Sequence, residues 1–290
     1  MDREVISEIV GRVPGARYVM EGDFCKELRL TDESYIFHGL IRHRSPSEKK
    51  EILDLVCKLE HLKVLDLRKN RLSTVPELFC PLEKLDLGSN YMGQVPPWLR
   101  KMSRLKSLNL GVNELHDVPD WLPELENMET LRLHKNHIRH VPDLSSMKKM
   151  KYINLYFNSL RQMPDFLWTF DLESFAWGVS GVKEIPPQIG QWKRLKWLLF
   201  IGNKIERLPA EICTLPQLTG MKLHKNCLKE LPEGIGGMPS LRELTVYMNE
   251  LQGLPASFTQ LKSLKKLNLS KNRFVSPPNL EGLELTWLKT

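Results

Sequence analysis

No run of apolar residues in this chain approaches the length that a membrane-spanning helix needs. The opening Met1-Asp2-Arg3-Glu4 also lacks the order of a secretory signal. Cysteine is scarce: Cys25, Cys57, Cys80, Cys213 and Cys227 are odd in number and show no CxxC spacing. That argues against a disulfide framework or zinc knuckle and fits a reducing, cytoplasmic compartment. Enzyme signatures are missing as well. HExxH and GxSxG do not occur, and Gly234-Ile235-Gly236-Gly237 does not stand between a strand and a helix, as a phosphate loop must. Twelve residues follow Pro278, so no catalytic domain is expected after it. His134, His137 and His140 have three-residue spacing, with Asp143 the nearby carboxylate. On a strand running into a loop their rings fan apart, so solvated positions are expected and no metal. Catalysis and cofactors are not expected.

What the chain does have is a repeat. Asparagine recurs at Asn70, Asn90, Asn113, Asn136, Asn158, Asn203, Asn226, Asn249 and Asn272, with Ser180 in register in the one gap. Each follows an apolar pair two residues apart, from Leu65-Leu67 through Phe175-Trp177 and Leu198-Phe200 to Leu267-Leu269. Six residues past each stands a proline, from Pro76 to Pro278. The interval is 20 residues between Asn70 and Asn90 and 22 or 23 thereafter. A period of this size marks a solenoid of stacked units, because one unit cannot bury its own apolar face.

The repeat LxxLxLxxNxLxxLP resembles the leucine-rich repeat family over residues 62 to 278, with segments such as Leu208-Pro209-Ala210-Glu211-Ile212 closest to the typical and Ras-group types. The resemblance implies an α/β solenoid, a curved horseshoe with a parallel concave β-sheet. The physical reading agrees. An LxL triplet is a short strand whose leucines point to one side, and a buried asparagine can satisfy turn backbone in its own coil and the next. Ser180 carries fewer such groups, so its coil is expected to be weaker by about 1 kcal/mol. Proline removes a donor and favours an extended return, so the convex side is expected to be mostly non-helical.

Three parts follow: an N-terminal cap over 1–61, ten repeats over 62–278, and a C-terminal capping strand over 279–290. Val5, Ile6, Ile9, Val10 and Val13 line one helical face, ended by Pro14-Gly15. The polar side of that helix mixes acids with bases, which suits a cap better than a membrane surface. Ser45-Pro46-Ser47-Glu48 has the form of a capping box, opening a helix that buries Ile52, Leu55, Val56 and Leu59. Leu28-Arg29-Leu30 reads as a strand ahead of the first repeat, and Leu280, Leu283 and Leu285 as a last one.

Residues flanking each inward pair face the concave side. There Tyr152, Tyr156 and Phe157, then Trp197, Leu199 and Ile201, then Tyr247 and Met248 form a large apolar patch, as a partner site would. Ser174, Ala176 and Gly178 are small and are expected to leave a notch for an anchor side chain. Arg132, His134 and Lys135 before the patch and Lys222, His224 and Lys225 after it read as a basic rim. With a net charge of +7, they favour an acidic partner. Leu78, Trp98, Trp121, Leu144 and Phe166, each two residues past a proline, read as a second, lateral surface or as packing under the convex loops.

A non-catalytic protein-binding scaffold or adaptor is the expected function, with no membrane association. A nucleic-acid-binding repeat protein and the substrate-recognition subunit of an enzyme complex are the alternatives. Small GTPases or their regulators enter as partners through the family resemblance alone.

Overall fold

The computed structural model describes residues 2–30 and 40–290, and its contacts divide into two units, Met1–Lys149 and Met150–Thr290. The first unit opens on helix α1 (Asp2–Arg12), which buries Ile6 and Ile9. A hairpin of β1 (Arg17–Glu21) and β2 (Phe24–Arg29) follows, antiparallel and closed at Gly22, whose φ is +64°. The buried Asp2 carboxylate accepts the Cys25 N–H at 2.9 Å and ties α1 to β2. Helix α2 (Pro46–Val56) begins at the Ser45 capping box and buries Ile52, Leu53, Leu55 and Val56. Strands β3 (Val64–Asp66), β4 (Lys84–Asp86), β5 (Ser107–Asn109) and β6 (Thr130–Arg132) complete the unit. From β2 onward the pairing is parallel and aligns Leu28, Leu65, Leu85, Leu108 and Leu131 across the sheet.

The second unit holds β7 (Tyr152–Asn154), β8 (Ser174–Gly178), β9 (Trp197–Ile201), β10 (Gly220–Lys222), β11 (Glu243–Thr245), β12 (Lys266–Asn268) and β13 (Trp287–Lys289). All are parallel, and Ile153, Phe175, Leu198, Met221, Leu244, Leu267 and Leu288 stand in one register. Ten strands, β3 to β12, carry the ten LxL-type pairs, and both members of every pair are buried. Each buried leucine contributes about 2 kcal/mol of transfer free energy.

The asparagines perform as their chemistry suggests. Asn113 Nδ2 donates to Leu110 O in its own coil and Leu87 O in the preceding one, both at 3.0 Å, while its Oδ1 accepts Met92 N–H at 3.0 Å. Asn90, Asn136, Asn226, Asn249 and Asn272 repeat the pattern. The residue before each asparagine, or before Ser180, has positive φ, from Lys69 at 64° to Lys271 at 56°. In that conformation its N–H reaches a carbonyl of the next coil, as Phe157 does to Gly178 O at 2.9 Å and Met248 to Ser270 O at 3.0 Å. Among the described residues the return stretches contain no α-helix. Seven carry one 3-10 turn each, six of them entered through the repeat proline, with at least one apolar side chain turned inward (Leu99, Ile189, Ile212, Ile235 and Phe258 among them).

Two expectations at the ends need correction. The N-terminal region contributes two strands where one was expected, because Tyr18-Val19-Met20 folds back on β2. At the far end the strand lies at Trp287–Lys289 with Leu288 opposite Leu267, so Leu280, Leu283 and Leu285 precede it.

The coil at Ser180 departs from the rest. Strands β8 and β9 pair over five residues, adding Trp177 to Phe200 and Gly178 to Ile201. Asn203 Oδ1 accepts Ser180 N–H at 3.3 Å, while its Nδ2 is buried with no acceptor. Trp177 and Trp192 Nε1 are buried and unsatisfied as well. Aromatic rings fill this interior, with Phe175 centred 5.0 Å from Trp192 and 5.6 Å from Phe200. Ser180 Oγ donates to Gly178 O at 3.3 Å, within its own coil.

Candidate functional site

On the second unit's open strand face, four positions per coil point away from the inward pair: one before it, one within it, and two after it. Alternation along the strand dictates the first three positions. The fourth is the left-handed residue. In β7 these are Tyr152, Asn154, Tyr156 and Phe157; in β9, Trp197, Leu199, Ile201 and Gly202. Tyr152 hydroxyl accepts Asn154 Nδ2 at 3.2 Å, and Asn154 Oδ1 accepts the Tyr156 N–H at 3.0 Å. Phe157, left-handed at φ 57°, is 49% exposed, and Met248, at φ 55°, is 39% exposed.

The apolar patch is present but more covered than alternation suggests. Tyr152, Tyr156, Trp197, Leu199, Ile201 and Tyr247 are half-buried. Neighbouring coils supply the cover. A methyl group on Gly220 would fall 2.2 Å from Trp197 Cζ3, so the indole occupies the space above that glycine. Lys222 Nζ stands 5.5 Å from the same ring's centroid and 3.4 Å from the Glu243 carboxylate. The cation is thus shared between a π face and an acid.

The expected notch is closed. Ala176 and Gly178 are buried, and a methyl on Gly178 would meet Tyr156 Cδ2 at 2.5 Å and Ile201 O at 2.2 Å. Tyr156 leans across the space that the small residues vacate. The patch is consequently a relief of rings and aliphatic edges rather than two ridges with a slot.

The basic rim needs a second correction. His224 stacks on Tyr247 with centroids 4.4 Å apart and planes 12° apart. Burial, with Lys225 and Lys222 adding to it, lowers the His224 pKa to about 4, so the ring is neutral near pH 7. In the first unit, the His134 ring stands over Gly111, and burial, then Lys135 and Arg132, lower its pKa too. In the second unit the lasting positive charge is therefore on Lys222, shared with Glu243, and on Lys225. His137 faces a different neighbour from His134, its ring 5.3 Å from His116.

The lateral stripe is mostly core. Leu78, Leu144 and Phe166 are buried at 2%, 0% and 8% exposure. Trp98 and Trp121 are half-buried, and Trp98 Nε1 donates to Val75 O at 3.0 Å. The position two residues after the proline turns under the return stretch, which is why its apolar side chains pack inward there.

Alternation missed Val179. It precedes Ser180, has φ 56°, and is 42% exposed beside Phe157 on the same edge of the face. The one signal for it was its place immediately before the asparagine position.

Three family models match the chain: a leucine-rich repeat region over residues 174–276 and leucine-rich repeats over 80–138 and 61–82. Comparison with curated protein sequences gives no match. Among solved structures, a leucine-rich repeat protein of Leptospira interrogans is 28% identical with a TM-score of 0.69, covering 81% of this chain and 67% of that one. The TLR13–ssRNA13 complex is 25% identical, TM-score 0.64, over 81% of this chain and 37% of that one. The plant peptide hormone receptor RGFR1, in complex with RGF2, is 22% identical, TM-score 0.58, over 79% and 48%. The chain spans less than half the length of these last two proteins.

Proposed function

The chain belongs to the leucine-rich repeat proteins, and we propose that it is a non-catalytic scaffold or adaptor that binds a protein partner on the concave strand face of its second unit. The observation that carries this reading is the side-by-side placement of Tyr156, Trp197, Leu199 and Ile201 on a face with no core of its own to fill. Large aromatic anchors of this kind supply most of the free energy at protein interfaces. Lys222 and Lys225 beside them favour an acidic partner. A small GTPase or its regulator is the partner class that family resemblance suggests. The five thiols, all free, suit a cytoplasmic setting.

Single-stranded RNA is the second reading, favoured by the likeness to the TLR13–ssRNA13 complex. Against it stand the neutral His224 and the pairing of Lys222 and Lys266 with Glu243 at 3.4 and 4.0 Å. These compensate Lys222 and Lys266 and so reduce the charge that the face offers to phosphates.

Crosslinked capture from native cytosol, with wild type and a Tyr156→Glu/Trp197→Glu double variant in parallel, tests the proposal. A protein held by wild type and lost by the folded variant supports it. Equal recovery by both rejects the patch, and recovery of nucleic acid alone with steep salt dependence supports the RNA reading.

A further inference from the structure

The left-handed position before each asparagine is costly for a bulky side chain, most of all for a β-branched one. Among the described repeats, several fill it with lysine, serine or glycine: Lys69, Ser89, Lys135, Gly202, Lys225 and Lys271. Val112 in the first unit and Phe157, Val179 and Met248 in the second are the bulky exceptions, and Phe157 and Val179 stand in consecutive coils. Phe157, Val179 and Met248 are all exposed, so the unit bears backbone strain and exposed apolar surface at the same positions, two of them adjacent. Strain of this kind persists where the surroundings enforce it and clusters at binding sites.

The surroundings do enforce it. Phe157 N–H donates to Gly178 O at 2.9 Å and Val179 N–H to Ile201 O at 3.1 Å, so the ladder of the sheet fixes the turn. Gly202 follows in the same row, and a methyl there would stand 3.2 Å from Val179 Cγ2. Phe157 and Val179 therefore form a shallow apolar edge, with Val179 lying against the bare backbone of Gly202. Tyr156 extends it inward, its ring 6.0 Å from that of Phe157.

Beyond that glycine the row continues with Lys225, Met248 and Lys271. Lys225 and Lys271 are exposed, and neither makes an ion pair among the described residues. Lys204, one residue past Asn203, is exposed and makes no ion pair among the described residues. Other cations of these loops are matched: Lys229 pairs with Glu206 at 2.6 Å and Arg273 with Glu250 at 3.2 Å. The apolar edge thus shares its row with Lys225 and Lys271, and Lys204 follows the asparagine of the Gly202 coil.

We propose that this edge docks an extended segment of a protein partner in which one large apolar side chain is followed by carboxylates. The apolar residue sits against Phe157 and Val179 over Gly202, and the acids face Lys204, Lys225 and Lys271. The inference deepens the scaffold reading and rests on it, but it places the contact on the strand ends rather than on Trp197.

A displayed dodecapeptide library selected against the whole chain tests it, with a synthetic peptide from the enriched pool measured against variants. Enriched peptides should pair one large apolar residue with nearby Asp or Glu. Val179→Asn and Phe157→Asn should each weaken binding about tenfold. Asparagine tolerates the left-handed conformation, so their melting temperatures should hold or rise. Lys225→Glu with Lys271→Glu, at exposed positions that do not carry the fold, should weaken it as much, and added salt should weaken wild type. Peptides lost with Trp197→Glu but indifferent to all these variants would overturn the edge site and leave the concave reading standing. Enrichment without acidic residues, or no enrichment at all, also overturns it.

Discussion

The Trp197 indole stands where a side chain on Gly220 would be, in the adjacent coil 23 residues later. Each residue accounts for the other. The ring can lie on the sheet because its neighbour has no Cβ, and Lys222 then approaches its face. Gly220→Ala should push the indole off the sheet and cost about 1–3 kcal/mol, as overpacking does. Thermal unfolding and the tryptophan emission maximum would report it. An unchanged emission with no loss of stability would mean that the ring rests elsewhere.

Ser180→Asn should restore the repeat's hydrogen bonds to the fifth and sixth coils. The new amide has the reach of Asn113, which donates to two carbonyls at 3.0 Å. A gain of about 1–2 kcal/mol is expected for the added bonds. Denaturant titration would measure it. A loss instead would show that the five-residue pairing of β8 and β9 and their aromatic interior reject the regular geometry.

His224 makes stability depend on pH. Its folded pKa of about 4 lies below its ordinary value near 6.5, so the unfolded chain binds that proton more readily. The stabilisation from the neutral ring is complete above about pH 6.5 and is lost as pH falls toward 4. His224→Phe keeps a ring on Tyr247 and removes the titration. Melting temperatures between neutral and mildly acidic pH should then fall less steeply for the variant than for wild type. Parallel slopes would exclude His224 as the cause.

Leu144→Ala and Phe166→Ala should each cost about 2–5 kcal/mol, since both side chains fill the interior under the return stretch. A surface residue in either place would cost little. Chemical denaturation of the two variants separates the cases.

The ten coils were legible because each carries its own local signals. The inward pair, the asparagine and the proline all act within one coil or on the next. Outside the repeats the reading weakened. Tyr18-Val19-Met20 gave no sign of pairing with β2, and Leu285 outranked Leu288 on spacing alone. On the open face, alternation named Tyr156, Trp197 and Ile201 correctly as outward. It did not show that Tyr156 leans over Gly178 and closes the notch, or that Phe166 turns inward.

What the sequence by itself determined was the coil: which residues form its strand, which asparagine closes its turn, and which side chains leave its interior. The reason is that these choices depend on the two-residue strand period and on hydrogen bonds within a few residues. What only the tertiary structure decided was how coils cover one another: Trp197 on Gly220, His224 on Tyr247, Asn203 left without an acceptor, and Val179 turned outward beside Phe157. Those contacts join residues a full repeat apart, and their outcome depends on the volume and hydrogen bonds that each neighbouring coil leaves free.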